Sequence, residues 1–540
     1  MKKTLLMIAL VFGTLFNLER SVSQASTTLI APPLGWNSWN AFGCKINEKK
    51  IQAQINAMSS NGMQQAGYKY IVIDDCWSAP FRDANGDLQA DPLKFPSGIK
   101  SLADQAHAHG LKLGIYSDRG TKTCGGFLGS EDHEIKDALQ FARWGVDYLK
   151  YDNCNANLDE KTQYATMQAA LAKANPKMVF SICSWWFRPW IPELGDLWRT
   201  TWDIKDVWES NAIASSIDNQ SVTSIANVNN LTASYARSGH YNDPDMLMVG
   251  NRGQGALGGA GMTDIEYRSH FNLWAIMTAP LISGNDLANM DAVTRETLTN
   301  TEIIAVNQDP SDSPEHTQGV RVKHGANLEI WQKFLSNGDV ALLLLNRQNQ
   351  VSDLRVDWAD VGLKDNVSVR DVWQHQDLGK YAQSYTAKAV LAHGSVMLRV
   401  QGQKLEVGKL STVSIEAEAA TNTITDPVLI KDCAGCSGKA KVGNIRGDGF
   451  LRFNNVYSSR TTSVPVTVYF TNARDQLDLK INVNQDPGIF TRVHSSLDPE
   501  KLASLRFNLE LVRGMNTITF SLPGARAPDI DRISYETALN

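Results

Sequence analysis

Between residues 30 and 285, short apolar runs alternate with longer stretches of helical period. The runs cover 34–39, 68–75, 111–118, 146–152, 178–184, 197–203, 241–247 and 273–283, and each reads as a strand. Segments of helical period at 48–65, 98–109, 131–144 and 163–174 separate the early ones. Eight alternating units in about 250 residues predict a (β/α)8 TIM barrel, an α/β fold, over residues 26–309. No Gly-x-Gly-x-x-Gly turn follows the first run, which disfavours a doubly wound dinucleotide fold.

After Asn307-Gln308-Asp309-Pro310 the pattern changes to short alternating strands without helices, as at 328–334, 340–346 and 395–400. A small antiparallel β domain is expected over 310–403. A joint at 401–410 leads into a third segment, 411–540, again β-patterned and assigned as a C-terminal β-sandwich.

The first 25 residues fit none of these units. Met1-Lys2-Lys3, a short apolar stretch over 5–16 and the small-residue exit Ser23-Gln24-Ala25 read as a cleaved signal peptide, and an uncleaved anchor is the alternative. No later run reaches the roughly 18 residues of a membrane helix. An exported protein, periplasmic or secreted, is expected. Export permits disulfides among the seven cysteines, of which at least one must stay unpaired. Cys433-Ala-Gly-Cys436 has the spacing of a zinc half-site, but zinc needs about four ligands and no second pair lies nearby. A local disulfide or two thiols remain. A net charge of −5 with mixed signs gives no basic stripe for nucleic acid, while 14 Trp and 14 Tyr offer flat faces to apolar or sugar ligands.

Barrel chemistry sits at the carboxyl ends of the strands. Those ends read Trp39-Asn40, Asp74-Asp75-Cys76-Trp77, Tyr116-Ser117-Asp118, Asp152-Asn153-Cys154, Ser184-Trp185 and Asp203. Two of them end in an aspartate with a cation on the same strand face: Lys150 with Asp152, and Arg199 with Asp203. Two carboxylates delivered to one pocket suit cleavage of a glycosidic bond, one at the anomeric carbon and one on the leaving oxygen. Two buried structural ion pairs would show the same spacing.

Gly35-Trp36-Asn37-Ser38-Trp39-Asn40, Ile73-Asp74-Asp75-Cys76-Trp77, Lys150-Tyr151-Asp152-Asn153-Cys154 and Asn242-Asp243-Pro244-Asp245-Met246-Leu247 occur in that order. In them the chain resembles glycoside hydrolase family 27, the α-galactosidases and α-N-acetylgalactosaminidases. The resemblance implies a retaining mechanism with Asp152 as nucleophile, Asp203 as acid/base, and no cofactor for catalysis. It also implies sugar contacts from Trp39, Asp74, Asp75, Tyr116, Lys150, Ser184 and Arg199, and disulfides Cys44–Cys76 and Cys124–Cys154. Asp203 must be protonated before cleavage, so its pKa should lie above that of Asp152, although Arg199 favours the anion. Asp74 and Asp75 are adjacent, so both reach one sugar only if their strand ends or bulges there. Asn242-Asp243-Pro244-Asp245 reads as scaffolding.

The chain departs from the commonest α-galactosidase pattern at Cys183-Ser184-Trp185-Trp186-Phe187. Ser184 stands where many relatives have a glutamate, as in the N-acetylgalactosaminidases, but Phe187 is bulky where those place a small residue. An α-galactoside is the expected substrate, with the acetamido sugar as alternative. Asp75 replaces the glutamate of members acting on β-L-arabinopyranosides, a further option. A carbohydrate-binding protein without activity is the non-enzymatic reading, and it would not require the whole set of acids and cations. The third segment resembles carbohydrate-binding modules of the family 35 or 6 type at Ile415-Glu416-Ala417-Glu418-Ala419, Gly447-Asp448-Gly449-Phe450-Leu451 and Asp529-Ile530-Asp531. That resemblance implies a structural calcium at Glu416, Glu418 and Asp531.

Overall fold

The computed structural model describes residues 29–209, 220–256, 258–310, 317–325, 328–474, 476–496, 498 and 500–538. The expected signal peptide at 1–25 lies outside them. Eight parallel strands form one sheet: β1 Leu34–Asn37, β2 Tyr70–Ile73, β3 Lys112–Asp118, β4 Tyr148–Asp152, β5 Val179–Ile182, β6 Leu197–Arg199, β7 Tyr241–Asp243 and β8 Leu281–Ser283. Their order is β7-β6-β5-β4-β3-β2-β1-β8. A parallel bridge between Leu247, just past β7, and Ser283 of β8 closes the ring. The Leu247 N–H donates to the Ile282 carbonyl at 2.8 Å, and the Gly284 N–H to that of Leu247 at 3.1 Å.

Strand parity sets what faces the axis. Tyr70, Val72, Tyr148, Val179, Leu197 and Tyr241 form one apolar cluster inside the ring. The alternate residues Ile71, Ile73, Leu113, Ile115 and Leu149 join the larger core under the helices. Tyr148 points inward, so Lys150 and Asp152 do too, two and four residues nearer the carboxyl end. Gly114 of β3 fits opposite Tyr148 because a Cβ there would stand 2.8 Å from Val72 and 3.2 Å from Tyr148. The barrel thus has an apolar floor and a polar top.

Three predicted strands come out differently, the run 241–247 being strand only to Asp243. Residues 273–276 close the helix Asp264–Ile276, and only Leu281–Ser283 is strand. That helix starts in a capping box of Thr263 and Glu266 and is buried without break from Ser269 to Ile276, so its sequence has no polar face to betray a helical period. The run 197–203 is strand only to Arg199. Arg199 pairs with Asp243, the last residue of β7, and Pro244 after it has no N–H to extend the ladder. Asp203 therefore lies on a loop, and strand parity does not place it.

Beyond the barrel, a six-stranded antiparallel sheet runs in the order Gln376–Tyr381, Val367–Asp371, Ser395–Gln401, Val340–Asn346, Leu328–Phe334 and Val320–His324, beside the pair Ser352–Asp357 and Ser384–Val390. The third unit is a sandwich of a six-stranded and a five-stranded sheet. Phe453 and Phe520 meet edge to face in its core. Among the described residues no helix is long and apolar enough to cross a membrane.

Candidate active site

At the carboxyl end of the barrel, Trp39, Asp74, Asp75, Tyr116, Cys124, Lys150, Asp152, Trp185, Asp203, Asp245 and Met246 line one cleft of about 400 Å³, open mouth included. Asp152 ends β4 and is 7% exposed. The sheet register sets it beside Asp118 and sets Lys150 beside Tyr116. Its Oδ2 accepts from the Tyr116 hydroxyl at 2.8 Å and its Oδ1 from the Asn153 N–H at 3.0 Å. Burial raises its carboxyl from 3.8 to about 6; the Lys150 cation opposes that rise and the Asp203 carboxylate adds to it. Asp118 is fully buried and accepts from the N–H groups of Gly120 and Cys154. Burial, then the charge of Asp152, pushes Asp118 up to about 8. The two neighbouring carboxyls thus disfavour each other's ionisation.

Asp74 and Asp75 follow the end of β2, so leaving the strand lets both carboxylates reach the cleft. The direct partner of Lys150 is Asp74, at 2.8 Å, where the sequence suggested Asp152. Asn37 donates to the same oxygen at 2.7 Å. Burial works against the Lys150 cation, but the surrounding carboxylates, Asp74 first, hold its pKa above the usual value. Asp75 accepts from the Cys76 and Gly125 N–H groups, each at 2.6 Å. A Cβ on Gly125 would sit 2.8 Å from Asp75 Oδ2, so only glycine lets that backbone approach.

Asp203 lies four residues past the end of β6 with its side chain 40% exposed, and Arg199 Nη1 meets it at 3.0 Å. The other arm of Arg199 pairs with Asp245 at 3.2 Å and donates to the Thr201 carbonyl at 3.1 Å. Asp245 is 3% exposed and also accepts from the Ile204 N–H at 2.8 Å. The buried partner of Arg199 is thus Asp245, and Asp203 shares only the remaining arm. Asp245 orients the site, as its motif suggested, and it also lines the cleft. Burial raises Asp245 to about 6 against the pull of Arg199. Backbone strain gathers at this end of the barrel: Cys76, Trp185 and Asp245 have φ of 73°, 65° and 80°.

Arg199 lines a second, smaller cavity with Cys183, next to the cleft and sharing Lys150, Asp245 and Met246 with it. Ser184 is fully buried and donates to the Trp186 carbonyl at 2.9 Å. Phe187 packs on Tyr235 with ring centroids 4.3 Å apart. Neither side chain is among those that line the cleft. Sequence reasoning placed Trp185 and Asp118 at strand ends but gave neither a role; Trp185 lines the cleft and Asp118 lies beside Asp152. Trp185 carried no signal beyond its place after a strand, whereas Asp118 could have been found from its parity with Tyr116.

Disulfides join Cys44 to Cys76, Cys124 to Cys154 and Cys433 to Cys436, and Cys183 is a buried free thiol. The first two brace the segments that follow Asp75 and Asp152. Asp118, Cys124, Asp152 and Cys154 bring donor atoms within 4.8 Å of one another, but two of those sulfurs are tied up in the disulfide. In the third unit, Glu416, Glu418 and Asp531 each keep one buried carboxylate oxygen without a hydrogen-bond partner. Ser437 donates to Glu416 at 2.8 Å, and a Cβ on Gly438 would meet Glu418 Oε1 at 2.5 Å. Orphaned carboxylate oxygens are the donor type calcium takes, but among the described residues these three do not bring their ligand atoms within 4.8 Å of one another, and Asp531 is also paired with Arg532 at 2.5 Å.

Residues 31–309 match the family described as alpha galactosidase A, and residues 325–400 match the alpha galactosidase C-terminal beta sandwich domain. The chain is 43% identical over 415 residues to alpha-galactosidase A of Cellvibrio japonicus, covering 74% of this chain and 99% of that one. It is 46% identical over 351 residues to the alpha-galactosidase of Cyamopsis tetragonoloba, covering 64% and 80%. Among solved structures, alpha-galactosidase I from Mortierella vinacea superposes with a TM-score of 0.65 at 35% identity, covering 70% of this chain and 99% of that one. A β-L-arabinopyranosidase from Geobacillus stearothermophilus at 22% identity and a TM-score of 0.60, covering 70% and 97%, shares the fold. The chain belongs to the α-galactosidase A family, glycoside hydrolase family 27.

Proposed function

We propose that the protein is an exo-acting, retaining α-galactosidase that releases terminal α-linked galactose. One observation carries this reading: two carboxylates of unlike setting, Asp152 and Asp203, line a cleft whose other walls are Trp39, Asp74, Asp75, Tyr116 and Lys150. Asp152, ionised above about pH 6 and aligned by Tyr116, attacks the anomeric carbon. Asp203 gives its proton to the leaving oxygen and then takes one from the incoming water. Asp74 and Asp75 accept from galactose hydroxyls, so a misplaced hydroxyl would leave a buried acceptor unpaired. A panel of p-nitrophenyl α-galactoside, α-N-acetylgalactosaminide and β-L-arabinopyranoside tests this. The α-galactoside should be turned over fastest, and a faster rate on either other sugar would reassign the substrate.

The third unit reads as a carbohydrate-binding module, and the leader as an export signal. Glu416, Glu418 and Asp531 would hold a structural calcium there, which would neutralise the three orphaned oxygens. Calcium at about 100 times its Kd should stabilise the protein by about 2.7 kcal/mol, read as a rise in Tm over an EDTA-treated sample. An unchanged Tm would remove the site.

A further inference from the structure

The aromatic wall of the cleft continues out of the barrel. Trp185, which lines the cleft, stacks on Trp202 with centroids 4.7 Å and planes 29° apart. Trp202 meets Trp186 edge to face at 5.4 Å. Trp186 is 4% exposed, and the Arg492 guanidinium stands 4.4 Å from the centroid of its ring. Arg492 belongs to strand Ile489–His494 of the third unit, where Asp478 on the paired strand holds its Nε at 2.7 Å. A clamped cation from one unit therefore rests on the ring that braces Trp202, the residue before Asp203.

The rest of this interface keeps Arg492 in place. The Ser234 N–H donates to Asn508 at 3.0 Å, and the Arg506 N–H donates to the Tyr235 hydroxyl at 2.9 Å. Glu510 accepts from Asn230 at 2.9 Å and from Arg321 at 3.0 Å, linking the third unit to the barrel and to the middle sheet. Asp203 needs such a brace because no strand ladder reaches it.

We infer that the third unit is part of the catalytic machinery, with Arg492 a positioning residue that acts through Trp186 and Trp202 to aim Asp203 at the leaving oxygen. This rests on the reading of Asp203 as the acid. In the step concerned, the Asp203 proton passes to the glycosidic oxygen while the C1–O bond breaks and Asp152 bonds to C1. An alkoxide leaving group requires that proton, whereas a dinitrophenolate departs without it. A desolvated cation–π contact and an acid misplaced by about 1 Å are each large enough to show in the rate.

The test is kcat/KM on an α-1,6-galactosyl-glucose disaccharide and on 2,4-dinitrophenyl α-galactoside. Arg492→Met should lose about tenfold on the disaccharide and stay within about twofold on the activated substrate, and Arg492→Lys should recover most of the loss. Asp203→Ala should show the same selectivity more strongly. If Asp203→Ala loses equally on both substrates, the acid assignment fails. If Asp203→Ala is selective and Arg492→Met is not, the third unit does not position the acid and the inference is overturned. Should Arg492→Met not fold, Asp478→Asn gives the same readout, with a smaller selective loss expected and equal rates on both substrates overturning the inference.

Discussion

The tips of β4 and β6 solve one problem, presenting a carboxylate to a sugar, in opposite ways. Asp152 is the last residue of its strand, 7% exposed, with its side chain fixed by register and by Tyr116. Asp203 stands past the end of its strand, 40% exposed and held by one arm of a shared arginine. The sheet alone determines the first position. The second depends on loops, on Asp245 and on an aromatic stack that reaches the third unit. This suits the chemistry, because a nucleophile must meet one carbon at a fixed point while an acid must meet leaving groups of different shape.

The largest effects should come from removing each acid. Asp152→Ala should lower kcat by at least about 10⁴-fold on every substrate, because both chemical steps pass through it. Asp203→Ala should cost about 10²- to 10⁴-fold on unactivated substrates, the usual contribution of a general acid. Comparable losses in kcat/KM on a dinitrophenyl substrate in both variants would break the contrast.

Next comes the pH profile. Burial raises the Asp152 carboxyl to about 6, so kcat/KM should fall about tenfold per unit as pH drops below that value. Stability has the opposite sign. A folded-state pKa above the ordinary 3.8 means that ionised Asp152 costs stability above about pH 6, and the cost disappears as pH falls below 3.8. Asp152→Asn should therefore raise Tm at pH 7 by about 2 °C or more and give no gain near pH 3.5. Smallest is Tyr116→Phe, which removes one hydrogen bond to Asp152 and should cost about tenfold in kcat/KM.

The barrel and the β4 tip were legible because a two-residue period in an apolar run sets both burial and direction. Tyr148, Lys150 and Asp152 share a face in the sequence and in the fold. Legibility failed where that period stopped governing. The helix at 264–276 is buried on every side from Ser269 onward, so that part carries no polar stripe. Asp203 looked like a strand residue because the proline that ends its ladder lies in β7's continuation, some forty residues on. The partner of Lys150 turned out to be Asp74, a contact between neighbouring loop and strand ends that spacing within one strand cannot show. The brace from Arg492 joins residues about 300 positions apart and left no local trace.

The unequal roles of the two carboxylates are tested most directly by azide rescue, followed by the anomeric configuration of the galactosyl azide formed. Asp152→Ala leaves the face beneath the anomeric carbon open and should give the β-azide from an activated α-galactoside. Asp203→Ala keeps the nucleophile and should give the α-azide through two displacements. A β-azide from Asp203→Ala together with an α-azide from Asp152→Ala would reverse the assignment and contradict the roles given to the two tips.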